Sequence, residues 1–300
     1  MLVLAVAGAV AAAGLGVAQA AFPGADGRIV YAGRIGAVWQ IYTMRSNGTG
    51  IRRLTNNLLD SSAPVWSPNG SRIAFRSERS GNPEIYVMDA NGRHVRRVTR
   101  RALPDTKPAW SPDGKRIVFQ RYETGGSRFV PIHSDIAVVN ANGSGMRLLT
   151  HTASADNFNP VWSPNGGTIA FRSDRDGNWE LYAMRSNGTG VTRLTDNPAV
   201  DLNPTWSPNG RELAFASDRD EPGNFEIYVM NADGSEVRRL TNSPASDLEP
   251  AWSPSGRRLL FTSDRGGSLQ IYSMAVNGSD VRQLTTRGLA SRTADWQPRH

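Results

Sequence analysis

Tryptophan recurs along this chain at a nearly constant interval, and that period is the strongest constraint on its fold. Six of the eight tryptophans stand at positions 66, 110, 162, 206, 252 and 296, separated by 44, 52, 44, 46 and 44 residues. A Leu-Thr or Val-Thr pair and a tyrosine keep the same register, beginning with Thr55 and Tyr42. Three markers in one register indicate a true repeat, and a period of about 40–50 residues is typical of propellers and solenoids.

Each repeat unit is predicted to contain four short strands. In the unit that begins near Trp162, residues 168–173 and 180–184 alternate between apolar and polar side chains, as half-buried strands do. Asn187-Gly188 marks a tight hairpin turn, because both central positions of that turn need a positive φ. No segment has a helical period. Four strands in a unit of this length predict the blade of a β-propeller.

The two ends of the chain predict how many blades there are and how the ring closes. Residues 28–31 read as a second strand without a preceding tryptophan strand, and residues 294–298 read as a tryptophan strand without a second strand. Together the two fragments complete one blade. We therefore predict an all-β, six-bladed propeller, closed by pairing of the C-terminal strand with the three N-terminal ones, which hides the edge strands.

The first twenty residues are predicted to be a secretory signal peptide. Residues 2–17 carry no charge and are rich in Ala, Val, Leu and Gly, and Ala18-Gln19-Ala20 supplies the small residues of a cleavage site. An uncleaved anchor is the alternative, because no Lys or Arg precedes the apolar run. Residues 21–300 are then a single propeller domain located outside the cytoplasm, and we expect a bacterial envelope.

Composition excludes several kinds of site. The chain has no cysteine and only four histidines, so disulfides, thiolate metal sites and cysteine nucleophiles are excluded. Its net charge is +7, yet no basic run exceeds two residues, and we expect no nucleic-acid partner. We predict no cofactor and no metal. A calcium loop at Asp174 and Asp176 is the alternative, but Arg185 stands where an EF-hand loop carries its glutamate.

The repeat resembles that of the TolB-like β-propellers. The shared elements are Trp-Ser-Pro-x-Gly, Ile-Ala-Phe-x-Ser-Asp-Arg, Glu-Leu-Tyr-x-Met and Arg-Leu-Thr, which here occupy residues 162–166, 169–175, 180–184 and 193–195. The resemblance covers about residues 22–298 and implies the propeller fold. It also implies a role in docking envelope proteins. TolB carries a separate α/β domain ahead of its propeller, and we expect this chain to lack that domain.

A near-ring of carboxylates is the first candidate partner-binding site. One aspartate lies five or six residues before the tryptophan in five of the units, namely Asp60, Asp105, Asp156, Asp201 and Asp247. This spacing places them on the loops that enter the innermost strands, at one mouth of the central channel. We predict an acidic mouth that receives a cationic partner. The alternative is a turn-capping aspartate in each blade.

An insertion in the third unit is the second candidate. The distance from Trp110 to Ala137 is 27 residues, against 20 between the equivalent positions of three other units. The extra residues fall within 121–135, a segment that contains Tyr122, Arg128, Phe129 and His133. Aromatic and arginine side chains on a loop held by a rigid scaffold are typical of binding hot spots. A tolerated surface insertion is the alternative.

These patterns favour a binding module over an enzyme. There is no Gly-x-Ser-x-Gly elbow, the four histidines are dispersed over different units, and we assign no catalytic residue. We predict a monomeric, extracytoplasmic scaffold that holds an envelope protein, a peptide or a wall polymer at one face of the ring. The alternative is a carbohydrate-active propeller, either a polysaccharide lyase or a glycosidase. Its sugar-stacking candidates are Trp39 and Trp179, the two tryptophans outside the repeat.

Overall fold

The computed structural model describes residues 21–124, 131–152, 154–286 and 290–299, and within them it is built entirely of β-strands. The predicted signal peptide lies outside the described residues. Blade 1 contains β1 (Ala25–Ile35), β2 (Val38–Met44), β3 (Arg52–Arg53) and β24 (Ala290–Arg299). Blade 2 contains β4 (Ser61–Trp66), β5 (Arg72–Ser77), β6 (Glu84–Asp89) and β7 (Arg96–Arg97). Blade 3 contains β8 (Asp105–Trp110), β9 (Arg116–Thr124), β10 (Pro131–Asn140) and β11 (Arg147–Leu148).

The second half of the ring repeats this arrangement. Blade 4 contains β12 (Asn157–Trp162), β13 (Thr168–Ser173), β14 (Glu180–Arg185) and β15 (Thr192–Arg193). Blade 5 contains β16 (Asp201–Trp206), β17 (Glu212–Ser217), β18 (Glu226–Asn231) and β19 (Arg238–Arg239). Blade 6 contains β20 (Asp247–Trp252), β21 (Arg258–Ser263), β22 (Gln270–Ala275) and β23 (Arg282–Gln283). The six-bladed prediction is confirmed.

Ring closure occurs in blade 1, as the two chain ends predict. The strand order of this sheet is β24-β1-β2-β3, and all of its pairs are antiparallel. Trp296 of β24 lies opposite Ile29 of β1, and Asp295 lies opposite Val30. The C-terminal strand is thus the innermost strand of the first blade, and the ring has no open end between blades 6 and 1.

The repeated tryptophans form the core between neighbouring blades. Trp66 of blade 2 packs against Val30 and Ile41 of blade 1 and against Phe75 of its own blade. The other five tryptophans of the repeat lie in equivalent clusters that combine residues of two adjacent blades. All six are at most 4% exposed. Each tryptophan therefore joins two sheets, which is why its period follows the blade.

The threonine of the repeat has a role in hydrogen bonding that its spacing alone did not reveal. In every blade the threonine that follows the outermost strand accepts a hydrogen bond of 2.9–3.0 Å from a backbone N–H of the third strand. In three blades the same hydroxyl donates to a buried glutamate, which also binds the arginine two residues earlier; these glutamates are Glu84, Glu180 and Glu226. The threonine thus fastens the short outer strand to its sheet.

The innermost strands define two faces of the ring. We call the end at which these strands begin the upper face, and the end at which they reach their tryptophans the lower face. At the lower face, the Ala21 backbone N–H donates to the Trp206 carbonyl of blade 5 at 3.2 Å, while Phe22 packs against Ala63 and Trp110 of blades 2 and 3. Residues 21–22 therefore cross the ring axis at its lower end.

Asp295 gives the closing strand a pH-dependent stability. It is 5% exposed, accepts the Trp66 backbone N–H at 2.7 Å, and stands where the other blades carry Val, Ala or Thr. Burial raises the pKa of Asp295 to about 8. In the unfolded chain an aspartate titrates near about 3.9, so between pH ~4 and ~8 the folded protein holds a proton that the unfolded chain has lost.

We predict that stability falls as the pH rises from about 4 to about 8, with a maximum slope of about 1.4 kcal/mol per pH unit from this group. Asp295→Asn keeps an acceptor for the Trp66 N–H and cannot ionise, so it flattens this dependence and is more stable than the parent above pH ~8. Thermal unfolding from pH 4 to 9 measures the stability of the parent and of Asp295→Asn, and Asp196→Asn, a change at an exposed aspartate, is the control. Parallel curves for parent and Asp295→Asn would contradict the prediction.

Candidate functional site

Three of the five predicted ring aspartates are buried ion-pair partners. Asp105, Asp201 and Asp247 are the first residues of β8, β16 and β20, and each is fully buried. Asp105 binds Arg121 at 2.6 Å between Oδ2 and Nη2, and Asp201 binds Arg219 at 3.1 Å. Asp247 binds Arg265 in the same way. These carboxylates are therefore neutralised inside the blades.

The arginines of these pairs explain the Ser-Asp-Arg element of the repeat. The Arg219 guanidinium lies 5.1 Å from the ring centre of Phe215 and 4.9 Å from that of Tyr228, and its Nε donates to Ser217. Arg79, Arg175 and Arg265 repeat these contacts in their own blades. In blades 2, 4, 5 and 6 the arginine thus covers the aromatic core, while its far end binds the aspartate or a nearby asparagine.

The other two predicted aspartates occupy the connections that precede the innermost strands. The Asp60 carboxylate accepts the Trp39 backbone N–H at 2.9 Å. Asp156 is half-buried, and burial raises the pKa of its carboxyl group. All five aspartates thus lie at the upper face, but they do not form an open ring of carboxylates. Binding of a cationic partner by them stays a prediction.

The insertion lengthens the β9–β10 hairpin, which also extends from the upper face. Tyr122 is partly buried, its ring lying 6.3 Å from that of Phe158 in blade 4. His133 is mostly buried, with its Nε2 3.6 Å from an oxygen of Asp135. Arg128 and Phe129 lie outside the described residues. The two candidate regions therefore share one face of the ring.

The suggested calcium ligands have other partners. The Asp174 carboxylate accepts the Asp156 backbone N–H at 2.8 Å, and that of Asp176 accepts the Tyr182 hydroxyl at 2.6 Å. Across the described ranges, no three His, Asp or Glu side chains are grouped as a metal site would require. The Asp-x-Asp pair is accounted for by turn and hydroxyl contacts.

A feature that sequence reasoning missed lies at the ring axis. In all six innermost strands, the residue three positions before the tryptophan has a left-handed backbone with φ between 53° and 57°, and the strand bulges there. These residues are Ala63, Lys107, Asn159, Asn203, Glu249 and Thr293, and all are buried. The backbone geometry repeats while the side chains differ. Fold alone therefore does not dictate their identity.

Lys107 and Glu249 place these residues at the centre of the ring. Glu249 raises the pKa of Lys107, whereas Arg292, Arg172 and Arg76 lower it, so Lys107 senses charges on four other blades. Burial is the largest cause, and the net effect is a pKa of Lys107 well below its ordinary value. A side chain influenced from so many blades lies near the axis. The channel is thus lined with polar and charged groups.

Two of these arginines are stacked on the tryptophans outside the repeat. Arg172 lies 4.6 Å from the ring centre of Trp179 and 4.8 Å from that of Phe158, and the two rings are stacked 5.0 Å apart. Arg292 lies 4.0 Å from the ring centre of Trp39. Burial lowers the pKa of Arg172 to about 10. Each of these tryptophans therefore makes a cation–π contact with an arginine at the channel mouth.

Exposed apolar side chains add a third component to the upper face. Leu58 and Leu59, in the connection between blades 1 and 2, are 93% and 44% exposed, and Ile35 at the β1–β2 hairpin is 63% exposed. The amide of Gln40 donates to the Leu59 carbonyl at 3.4 Å, which holds this connection beside the start of β2. We call these three residues the apolar patch.

We predict that Asp201→Ala destabilises the fold by about 3 kcal/mol, because it leaves the largely buried Arg219 without its carboxylate partner. Asp196→Ala, which removes an exposed carboxylate from the connection between blades 4 and 5, has little effect. Denaturant unfolding of both variants measures the difference. Unchanged stability of Asp201→Ala would contradict the structural role, and would favour the acidic-mouth hypothesis if partner binding were lost.

Comparison with known proteins agrees with this architecture. The family model described as the TolB beta propeller domain matches residues 8–157, 152–222 and 203–300. TolB from Acinetobacter baumannii is 22% identical, with 91% of this chain and 67% of that chain covered at a TM-score of 0.78. A protein assigned as TolB from Agrobacterium tumefaciens is also 22% identical, with 90% and 99% covered at a TM-score of 0.70.

A more distant likeness concerns an enzyme. An oligogalacturonate lyase in complex with manganese is 13% identical, with 89% of this chain and 77% of that chain covered at a TM-score of 0.62. At these identities the structural likenesses establish the shared fold. The family match spans nearly the whole chain and agrees with the repeat elements quoted above. The chain belongs to the family of TolB β-propeller domains.

Proposed function

We propose that this protein is an extracytoplasmic, non-enzymatic binding module that holds a partner protein at the upper face of its propeller. Membership of the TolB propeller family supports a protein-binding scaffold in general terms. We choose the upper face because of one observation: the structural features that do not belong to the repeat lie together on that face. These are the apolar patch, the β9–β10 hairpin and the polar channel mouth.

The distribution of exposed apolar side chains supports this choice. The other exposed large apolar residues stand just before the outermost strand, one in each blade; they are Ile51, Val95, Met146, Val191, Val237 and Val281. They follow the repeat and are spread around the rim. The apolar patch has no such periodicity, and Leu58 is almost fully exposed. Contiguous exposed apolar groups on a rigid scaffold are typical of protein-binding surfaces.

The side-chain chemistry of the upper face supports binding over catalysis. His133 is close to Asp135, and the hydroxyl of Ser134 between them donates to the Asn157 carbonyl. Among the described residues, no three His, Asp or Glu side chains are grouped as a metal site would require. The carbohydrate-active alternative has one supporting observation, the lyase-like fold. The tryptophans it requires as sugar platforms, Trp39 and Trp179, are instead stacked against arginines.

The N-terminal sequence and the family support an extracytoplasmic location. The apolar segment 1–20 has the pattern of a secretory signal. In the part of the chain that the structure covers, no helix has the length and hydropathy needed to cross a bilayer. We propose that the exported propeller acts as a monomer, because a closed ring offers no free inner strand for pairing with a second copy.

We predict that Leu58→Asp weakens capture of the partner at least about tenfold, since it places a charge in the apolar patch. Val281→Asp makes the same change at the rim, where the side chain is 41% exposed, and leaves capture unchanged. The measurement is cross-linking capture from native envelope with immobilised protein, followed by titration of the captured protein.

Equal capture by both variants would move the binding surface away from the patch. Recovery of wall polymer without protein, together with turnover of polyuronate or wall polysaccharide, would overturn the proposal in favour of the carbohydrate-active alternative.

A further inference from the structure

Several buried polar groups at the ring axis have no hydrogen-bond partner within the described part of the protein. They are both side-chain heteroatoms of Asn203, the Thr293 hydroxyl, Nε and Nη1 of Arg172, and Nε of Arg292. Asn203 is fully buried and Thr293 is 1% exposed. An unpaired buried polar group costs about 1–3 kcal/mol, so a protein seldom collects several of them in one place without a ligand.

The two arginines also form no ion pair with any described residue. Arg172 is 1% and Arg292 is 9% exposed, and their guanidinium groups contact aromatic rings. Asp156 and Asp174 act on Arg172 only from a distance, and Asp60 and Glu249 act similarly on Arg292. Buried cations held in this way retain donors for an anion.

Glu249, the acidic residue among the six axis positions, does not supply that anion. Its Oε2 already accepts the Thr262 hydroxyl at 2.7 Å and the Thr293 backbone N–H at 2.8 Å. Arg76, a third arginine near the axis, is paired with Glu78. The groups left to bind a ligand are therefore mainly donors and cations, which disfavours a metal ion at this place.

We propose that the upper mouth of the channel binds a carboxylate group of a partner polypeptide, an acidic side chain or a C-terminus, through Asn203, Thr293, Arg172 and Arg292, with Lys107 beside them. This inference rests on the proposed function for the source of the carboxylate, but the anion site itself can be tested without the partner. It reverses the charge expected of the partner from the sequence, because three of the five ring aspartates already form buried ion pairs.

A carboxylate suits these donors for geometric and electrostatic reasons. It is planar and accepts several hydrogen bonds, and a single negative charge offsets the cations at the axis without overcompensating them. The stacked rings of Phe158 and Trp179 lie beside Arg172 and offer apolar contact to the chain that bears the carboxylate. The apolar patch lies on the same face, so one polypeptide can contact both.

The first experiment uses capped tripeptides as probes. A capped Gly-Glu-Gly peptide is titrated into the purified protein and followed through the side-chain amide resonances of Asn203, and a capped Gly-Gln-Gly peptide is the neutral control. We expect the glutamate peptide to bind at least about tenfold more tightly and to shift the Asn203 resonances. No preference, with unshifted Asn203 resonances, would overturn the proposal.

Matched variants then locate the site. Lys107→Asn introduces the residue that blades 4 and 5 carry at this left-handed position, so the fold accommodates it. We expect it to weaken binding of the glutamate peptide about tenfold, whereas Lys115→Asn, the same change on an exposed turn, has no effect. Asn203→Ala, which reproduces the residue of blade 2, is the second test. Binding unaltered in both Lys107→Asn and Asn203→Ala would contradict the proposal.

Two further experiments distinguish a failure of the carboxylate site from a failure of the proposed binding function. Digalacturonate or inorganic phosphate binding more than tenfold tighter than the glutamate peptide at the same residues would overturn the polypeptide source. Partner capture that is lost in Leu58→Asp but unaffected by Lys107→Asn would refute the carboxylate site while leaving the binding module intact. Loss of capture in Lys107→Asn, with circular dichroism unchanged, supports both.

Discussion

The antiparallel pairing of β24 with β1 is the contact on which the rest of the structure depends. It joins the last strand of the chain to the first and turns a row of six sheets into a ring. Because the ring is closed, its innermost strands surround an axis, and the unpaired edge of each one faces that axis. The same pairing carries Arg292 and Thr293 to the channel mouth, so closure and the proposed site have one structural origin.

Two sets of residues serve two purposes in this ring. The repeated set consists of the tryptophan between blades, the threonine that holds the outer strand, and, in four blades, the arginine that covers the aromatic core. The blade-specific set occupies the left-handed position of each innermost strand and the connections at the upper face. Lys107, Glu249 and Thr293 adopt φ values that cost such residues roughly 1–2 kcal/mol. The repeated bulge imposes this geometry, and five of the six buried positions carry a polar or charged side chain.

The sequence was sufficient to predict the blades, their number and the closing strand. Trp66 and its equivalents lie in the cores between sheets, where one large side chain is needed per blade, so the period of the sequence is the period of the structure. The partial blades at the two ends then allowed one closure only. The second and third strands of blade 4, predicted to be half-buried from their alternation, are buried on both faces, because each sheet packs between two others.

The site was less predictable, for physical reasons. The spacing of Asp201 predicted a place on the loop that enters an innermost strand, and the structure has it as the first residue of β16. Its burial depends on Arg219, which lies 18 residues away and reaches it only in the folded blade. Lys107 and Asn203 lie within strands, where no propensity indicates a left-handed bulge. These two residues come together at the axis only when the whole ring has formed. The available indication of these axis residues was that the position three before each tryptophan varies from blade to blade, whereas the motifs around it repeat.

The central claim is that the upper face, with its blade-specific residues, is where this propeller binds a protein. Amide hydrogen exchange of the purified protein, alone and with its captured partner, tests this directly. The claim predicts slower exchange in residues 34–38, 56–60 and 154–157 at the upper face, and unchanged exchange in the Ser-Pro-x-Gly turns of the lower face. Protection confined to the lower turns, or to the outer rim, would contradict it.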